Sequence, residues 1–359
     1  MRSRPTPKDL ELCRYCPSLC QSRCPVNLAL ADIAWSPCGK MSGVWRLQEG
    51  LVKATREATI PLHMCLDCLA CREVCDHGVE VPDNLAGARL AADTHYAQTQ
   101  NPVDTTWNTQ KAWETLRSCT PAWRCVDEAA VLLVPGREML EPEGVDQLKA
   151  LFQVLDKLSD EVVGVNPDSV LDDGHFSYIH GNLAQAKTAA GKAFKRYGKY
   201  KRIVVASPHN LSFVTLHWPQ LGYDRSKSVM GVIEYLSSAM DWNHSARFDG
   251  RVAWHDPCHL GRHLEQYQLP RDLLKWAGRY APVELLHNHG NSLCCGGGYP
   301  MSTRDPDGAA KVTAMRVAEI DASEADVVVT GCSQCVHTLR EANPEKPIKH
   351  LVEFLAEVL

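Results

Sequence analysis

The sequence predicts an α+β protein in which a helical N-terminal part precedes two α/β units. Three observations support this prediction. Residues 1 to about 125 contain two groups of closely spaced cysteines and helix-like segments, without strand-like alternation. From Ala129 onwards, short apolar runs are separated by helix-like stretches, a pattern typical of parallel α/β units. The pattern of this second half also repeats at a nearly constant offset.

Each predicted element has a local signal. The segment DNLAGARLAAD (83–93) is expected to form a helix after the second cysteine group, and Val145–Leu158 and Gly308–Glu319 are expected to form helices between strands. The C-terminal LVEFLAEVL is expected to be a helix that covers a sheet, with docking to a partner or a membrane surface as the alternative. The predicted strands are AVLLV (130–134), RIVVA (202–206), RVAWH (251–255) and DVVVT (326–330).

The composition describes a globular chain with many cysteines. Its 359 residues, 45% of them hydrophobic and 23% charged, suffice for two or three domains with hydrophobic cores. A formal net charge of -5 provides no basic field, so we expect no nucleic acid partner. The longest apolar run, Ala129–Pro135, is too short to cross a membrane, and the N-terminus has no signal-peptide pattern. We therefore expect a cytoplasmic protein without a transmembrane segment, or one held at the inner face of a membrane through its partners.

Sixteen cysteines in a reducing compartment indicate metal binding rather than disulfides. Cys38 is expected to be a packed free thiol, with a role as a spare ligand as the alternative. Cys119 and Cys125 have no ligand spacing. The other cysteines form three groups, which are Cys13, Cys16, Cys20 and Cys24, then Cys65, Cys68, Cys71 and Cys75, and finally Cys258, Cys294, Cys295, Cys332 and Cys335.

The first two groups have the spacing of [4Fe-4S] ligands. The run CLDCLACREVCD (65–76) has this spacing in full, and CRYCPSLCQSRCP (13–25) has it with one additional residue. In two-cluster ferredoxins the fourth cysteine of each run reaches across to the other cluster. Four-cysteine zinc sites are the alternative. We predict one cubane on Cys13, Cys16, Cys20 and Cys75, and a second on Cys65, Cys68, Cys71 and Cys24.

The third group requires a different centre. Its five thiolates include the adjacent pair Cys294 and Cys295, and they exceed the four ligands of a zinc ion or a simple cubane. An iron-sulfur core with an additional iron corner suits five thiolates. The glycines at 296–298 would let the backbone approach such a cluster and donate N–H groups to it. A glycine-rich turn beside free thiols is the alternative.

The internal repeat aligns the third group with positions that lack cysteine. Arg137 lies 121 positions before Cys258, and the pair Asp172–Asp173 lies 122 positions before the adjacent cysteines. Ser207 and Asn210 lie 125 positions before Cys332 and Cys335. We predict that the first copy has lost all five thiolates and holds no metal. A chance match between loops is the alternative.

Three segments of the last third carry a family resemblance. HDPCHLGRH (255–263), CCGGG (294–298) and TGCSQC (330–335) resemble the cysteine-rich CCG domain found in the B and D subunits of heterodisulfide reductase. Similar domains occur in iron-sulfur subunits of glycolate oxidase, anaerobic glycerol-3-phosphate dehydrogenase and lactate-utilisation systems, and in the sulfite-reduction-associated protein DsrK. The N-terminal region resembles the dicluster ferredoxin module of the same proteins.

The resemblance implies both the domain organisation and the cofactors. It implies a helical ferredoxin-like domain with two [4Fe-4S] cubanes over 1–125, a degenerate CCG-like α/β unit without metal over 126–250, and an intact CCG α/β domain over 251–359. In the last of these it implies one noncubane [4Fe-4S] cluster. A one-cluster arrangement like that suggested for DsrK stays open, because the first copy lacks the ligands. The implied ligands of the noncubane cluster are Cys258, Cys294, Cys295, Cys332 and Cys335.

The expected function is electron transfer. We predict an iron-sulfur subunit of a multi-subunit, flavin-dependent oxidoreductase, similar to heterodisulfide reductase or to the iron-sulfur subunits of 2-hydroxyacid dehydrogenases. The chain has no Gly-rich dinucleotide fingerprint, so flavin and nicotinamide are expected on partners. The expected partners are a flavoprotein and other redox subunits, together with a small thiol or disulfide, or a quinone. Two alternatives stay open: the noncubane cluster itself cleaves an S–S bond, or the chain is a zinc-binding scaffold.

Polar residues beside the cysteines have two interpretations each. His255, His259 and His263 bracket Cys258, and we expect them to satisfy backbone groups, with proton donation near the cluster as the alternative. His209 and the pair Asp172–Asp173 are expected to lie on solvated turns. A substitute metal or substrate site in the first copy is the alternative.

Overall fold

A helical N-terminal region is followed by two parallel sheets. The computed structural model describes residues 7–96, 104–158, 161–224, 227–243 and 248–359. Up to position 125, these residues form helices and short 3-10 turns, apart from an isolated bridge between Cys125 and Val165. This combination of helix and sheet is the α+β class that the sequence predicts.

The secondary structure falls into three stretches of the chain. The helices before the first sheet are α1 (Pro7–Tyr15), α2 (Pro25–Leu30), α3 (Pro37–Gln48), α4 (Arg56–His63), α5 (Val81–Tyr96) and α6 (Thr109–Cys119). The first sheet consists of β1 (Val131–Val134), β2 (Val163–Gly164), β3 (Arg202–Val205) and β4 (Val229–Gly231). Its helices are α7 (Val145–Leu158), α8 (His175–Ile179), α9 (Leu183–Tyr197), α10 (Pro208–Ser212), α11 (Trp218–Leu221) and α12 (Val232–Ala239).

The last stretch contains the second sheet. Its strands are β5 (Val252–Trp254), β6 (Val283–Glu284), β7 (Val327–Thr330) and β8 (Ile348–His350). Its helices are α13 (Gln268–Ala277), α14 (Met301–Arg304), α15 (Pro306–Asp321), α16 (Ser333–Ala342) and α17 (Leu351–Val358). A π-helical turn, His259–His263, follows β5, and a similar turn, Phe213–His217, follows α10.

The two sheets have the same topology. The strand order is β2-β1-β3-β4 in the first sheet and β6-β5-β7-β8 in the second, and all pairs are parallel. β1 in the first sheet and β5 in the second therefore occupy equivalent positions. β1 precedes Arg137, and β5 precedes Cys258. Likewise β3 precedes Ser207 and β7 precedes Cys332. The matching order supports the internal repeat that the sequence offsets indicate.

The central strands are apolar because they are covered on both faces. Every position of β1 is buried; Val131 and Leu133 contribute to one core cluster, and Leu132 and Val134 to another. A strand between two layers needs apolar residues at consecutive positions rather than at alternate ones. The four strands that the sequence predicts are accordingly the central pair of each sheet.

One hydrophobic core extends across both sheets. It joins Val131 and Leu133 of β1 to Val252 of β5 and Val329 of β7. α17 closes this core by packing against α7, and it buries Phe354 and Leu355. The C-terminal helix therefore covers the α/β core, as expected. Among the helices within the described ranges, none has both the length and the hydropathy that spanning a membrane requires.

The N-terminal region packs against the second sheet. α2 contacts α15, and Val26, Met64 and Leu66 belong to the same core cluster as Val312 and Val328. That cluster also contains cysteines from all three groups. Packing of the N-terminal helices therefore brings the first two cysteine groups next to the third.

Candidate metal centres

The first thiol site brings the end of α1 to the loop before α5. We use this name for Cys13, Cys16, Cys20 and Cys75. Burial raises the pKa of Cys13 to about 12, and electrostatic interaction with Cys75 and Cys16 adds to the effect. Ser18 has a left-handed φ of 63° and its backbone N–H donates to the Cys16 Sγ at 3.2 Å. The structure thus places thiols from both N-terminal groups together.

The second thiol site consists of the loop after α4 and the last cysteine of the first group. We use this name for Cys24, Cys65, Cys68 and Cys71. Burial raises the pKa of Cys71 well above its usual range, and Cys68, Cys24 and Cys65 raise it further. Asp67 and Leu69 have left-handed φ values of 52° and 54°, which turn the chain sharply between the cysteines.

The third thiol site lies at the carboxyl ends of β5 and β7. We use this name for Cys258, Cys294, Cys295, Cys332 and Cys335, of which Cys258 is the most exposed at 8%. Cys258 follows β5, the adjacent pair lies between β6 and α14, and the last two cysteines begin α16. The thiols form a continuous series of hydrogen-bond contacts, from Cys258 to Cys294, Cys295, Cys335 and Cys332.

Glycines let the backbone approach the third thiol site. Gly296 has a φ of 90°, which disfavours other residues, and a Cβ there would overlap the Thr313 side chain. A Cβ at Gly298 would overlap the carbonyl group of Leu66, in the second thiol site's own loop. The glycine run therefore also permits close contact between the loops of the second and third sites.

The second and third thiol sites touch. The Cys68 thiol is in hydrogen-bond contact with Cys294, and both are buried. Arg262 holds this junction: its Nε donates to the Cys68 carbonyl and its Nη1 donates to the Ser292 carbonyl at 2.7 Å. The sequence offers no signal for the Cys68–Cys294 contact, because it depends on the packing of distant segments.

The three histidines around Cys258 differ in their contacts. His263 Nε2 donates to the Asp67 carbonyl at 2.8 Å, so this histidine satisfies a backbone group, as expected. The expectation is wrong for His259, whose Nδ1 lies 2.7 Å from the Ser212 hydroxyl. His259 Nε2 lies 3.5 Å from a carboxylate oxygen of Asp67. Two of the three histidines thus fix the second-site loop to the last third of the chain.

His255 lies at the third thiol site itself. Its ligand nitrogen and the Sγ atoms of Cys295 and Cys335 lie within 4.8 Å of one another. Arg316 Nε donates to His255 Nδ1 at 3.0 Å, which leaves the imidazole proton on Nε2. Burial lowers the pKa of His255, so the ring is neutral at pH 7. The expectation that His255 satisfies a backbone group is therefore wrong, since its partners are the side chains of Arg316 and Cys295.

The aligned positions of the first copy surround a small polar cavity. Arg137, Asp172, Asp173 and Asn210 line a space of about 40 Å³. Asn210 Nδ2 donates to Asp173 Oδ2 at 2.7 Å, and burial raises the pKa of Asp173 to about 7. The Arg137 guanidinium lies 4.2 Å from the ring centre of Phe176. The expectation of a solvated turn is wrong for Asp173, which is buried.

A buried ion pair connects the first copy with the third thiol site. His209 Nδ1 lies 3.2 Å from Glu138 Oε1, and the Ser207 hydroxyl donates to Glu138 Oε2 at 3.2 Å. Burial opposes charge on both partners, yet the pKa of His209 rises to about 9 through Cys332 and Glu138. Burial would raise the pKa of Glu138, but it falls to about 2 because hydrogen bonds from His209 and from a backbone N–H and the charge of the imidazoles together outweigh burial. His209 is therefore a buried imidazolium, not a solvated residue.

Residues 252–340 match the cysteine-rich domain family CCG. The chain is 27% identical to the "Probable membrane-anchored ferredoxin" of Chromohalobacter salexigens over 252 residues, which cover 67% of this chain and 37% of that protein. It is 28% identical over 174 residues to the D subunit of the dihydromethanophenazine:CoB–CoM heterodisulfide reductase of Methanosarcina mazei, covering 47% of this chain and 42% of the relative. The corresponding D subunit of Methanosarcina barkeri is 22% identical over 391 residues, which cover 97% of this chain and 92% of the relative.

The family match covers the third thiol site. The chain spans less than half the length of the first two relatives and nearly all of the third. The matched domain contains β5, β7 and all five thiols of the third site. Over these residues the chain is similar to the CCG-domain iron-sulfur proteins, as its motifs indicate.

Proposed function

We propose that this chain is an electron-transfer subunit of a multi-subunit oxidoreductase. It would hold a [4Fe-4S] cubane at the first thiol site, a second cubane at the second thiol site, and a noncubane [4Fe-4S] cluster at the third. Thiolates are the ligands that iron-sulfur clusters require, and each site offers at least four of them. When bound, these clusters would carry single electrons.

The contact between Cys68 and Cys294 carries this proposal. It joins the second thiol site to the third. Cys20 and Cys71 interact electrostatically, which relates the first site to the second. These contacts support an electron path in the order first, second, third site, and Arg262 and Gly298 support close packing of the last two.

The surface at the first thiol site suits an electron-transfer partner. Tyr15 and Leu19 are 77% and 56% exposed beside Cys16 and Cys20, and all four line one open cavity of about 590 Å³. The third site is buried. We place the flavin on a partner subunit, and the similarity to the D subunit of a reductase supports a multi-subunit assembly.

Iron analysis of anoxically isolated protein tests the proposal. We expect iron and sulfide for three four-iron clusters and no stoichiometric zinc. Cys294→Ala should remove the noncubane EPR signal and leave both cubane signals, because the cubane ligands lie on other loops. Cys119→Ala is the matched control, since Cys119 lies outside all three sites, and its spectrum should equal that of the wild type. Zinc in place of iron would contradict the proposal and favour the scaffold alternative.

Reductive cleavage of a disulfide at the third site is a second candidate. The observation that favours it is the presence of two imidazoles beside the thiols, neutral His255 near Cys295 and charged His209 near Cys332. Cleavage of R–S–S–R consumes two electrons and two protons and releases two thiols; the His209 imidazolium can supply one proton, and water supplies the other. Protein with a reduced low-potential dye should then consume a small disulfide, and Cys294→Ala should not. Absence of consumption by the wild type would exclude this candidate.

A further inference from the structure

Cys38 lies at the first thiol site, although it belongs to none of the three cysteine groups. It is 9% exposed and its thiol is in hydrogen-bond contact with that of Cys20. Cys13 also interacts with it electrostatically. By contrast, Cys119 and Cys125 pack at the edge of the α/β core. The first site therefore contains five thiols, whereas a cubane needs four ligands.

The start of α3 fixes the position of the Cys38 sulfur. Ser36 caps this helix by accepting a hydrogen bond from the Gly39 N–H at 3.0 Å, and Pro37 occupies its first position. The same Ser36 hydroxyl lies 3.1 Å from Cys38 Sγ, and Gln21 Nε2 donates to that sulfur at 3.3 Å. Cys38 is thus oriented toward the loop that carries Cys20 rather than packed into an apolar core.

The loop that carries Cys20 differs from the corresponding loop of the second site. Three residues separate Cys16 from Cys20, whereas two separate Cys68 from Cys71. The additional residue lengthens the turn, and Ser18 within it adopts a left-handed conformation. The longer turn leads into the 3-10 helix Leu19–Ser22, which carries Cys20 at the place where a second thiol is available.

We propose that Cys38 is an alternative ligand of the first cubane and exchanges with Cys20 at one iron. In the exchange, the iron bond to Cys20 Sγ breaks as the bond to Cys38 Sγ forms, and the Cys38 proton passes to Cys20. No electron is transferred. The thiol that is not bound stays protonated and donates to the bound thiolate, because two thiolates in contact would repel each other. This inference rests on the proposed cluster content.

Alanine variants of the full chain, reconstituted with iron and sulfide under anoxic conditions, test the exchange. We expect Cys20→Ala and Cys38→Ala each to retain a four-iron first cubane, with different EPR line shapes, because the other thiol completes the coordination. The double variant should lose one iron and show the signal of an oxidised three-iron cluster. Cys13→Ala should show that signal as a single variant, because the Cys38 thiol is in hydrogen-bond contact with Cys20 and not with Cys13.

Two results would overturn the exchange while leaving the proposed function intact. One is a three-iron cluster in Cys20→Ala alone, which would show that Cys38 does not replace it. The other is a Cys38→Ala spectrum identical to those of the wild type and of Cys119→Ala. The second cubane serves as an internal reference in each sample. Wild-type protein without iron would instead contradict the cluster content itself, and with it the exchange.

Discussion

Arg262 places a buried positive charge between the second and third thiol sites. Its side chain is 1% exposed and interacts electrostatically with Cys68, Cys258 and Cys294. Nε and Nη1 donate to backbone carbonyls, whereas Nη2 has no hydrogen-bond partner among the described residues. A positive charge at this place stabilises the additional electron of a neighbouring cluster, so it favours the reduced state of that cluster.

Arg262→Gln should therefore lower the reduction potential of the clusters that we propose for the second and third thiol sites. The expected shift is on the order of 100 mV, which is about 2 kcal/mol per electron for a charge a few ångströms away at intermediate dielectric. Arg262→Lys keeps the charge and should shift the potentials less, although it loses the hydrogen bonds to the carbonyls. EPR-monitored redox titration measures both. Equal shifts in the two variants would assign Arg262 a purely structural role.

The Glu138–His209 pair predicts a pH-dependent stability. The pKa of His209 is raised to about 9. The stabilisation of the folded state by the protonated imidazole is therefore complete below pH 6.5 and is lost as the pH rises through 9. Glu138→Gln should lower the free energy of unfolding near pH 7 by about 3 kcal/mol, since it leaves a buried imidazole without its counter-charge. In this variant, chemical denaturation between pH 6 and 10 should also show a smaller decrease of the free energy of unfolding with rising pH.

A surface substitution is the control for that experiment. Glu341 is exposed on α16, so Glu341→Gln should retain the free energy of unfolding and the pH profile of the wild type. A Glu138→Gln profile that coincides with the wild-type profile would contradict the ion pair.

Among the elements, the sequence reveals the central strands and the long helices but not the edge strands. Val145–Leu158 has the predicted bounds, because its apolar face repeats with helical periodicity. β1, β3, β5 and β7 appear as apolar runs. The edge strands β2, β4, β6 and β8 have two or three residues each, too few to show a pattern, and they form because a central strand offers hydrogen bonds.

α17 is the element whose role has a direct stability test. Phe354 is fully buried where α17 contributes to the core that both sheets share. Phe354→Ala should lower the free energy of unfolding by about 3 kcal/mol, because the lost contacts leave a cavity. Leu286→Ala is the control, as Leu286 is 82% exposed. An unchanged free energy in Phe354→Ala would support the alternative that this helix docks on a partner.

At the scale of the whole molecule, the cysteine spacing predicts the groups but not their relation to one another. Ligand spacing is a local property of a loop, so the three groups are visible in the sequence. The Cys68–Cys294 contact and the charge of Arg262 at the junction depend on the packing of α2 against α15 and of the HLGRH turn against the second-site loop. Such contacts join residues at least 194 positions apart and leave no local signature.

The hydrophobic core that both sheets share also depends on packing between distant segments. Duplication predicts two equal α/β units, and the strand orders agree with it. That their hydrophobic clusters merge, with Val131 and Val329 in one core, follows only from how α7 and α17 pack. The first unit keeps its cavity at the aligned positions and fills it with charged and amide groups instead of thiols.

The central claim is that the chain holds three iron-sulfur clusters in sequence, with the second and third almost in contact. EPR spectroscopy of the fully reduced, anoxically prepared protein tests it most directly. We predict a spectrum broadened by magnetic coupling between the second cubane and the noncubane cluster, and in Cys294→Ala a spectrum without this coupling that contains the two cubanes alone. A wild-type spectrum that equals the sum of isolated clusters, or that contains no iron-sulfur signal, would contradict the account.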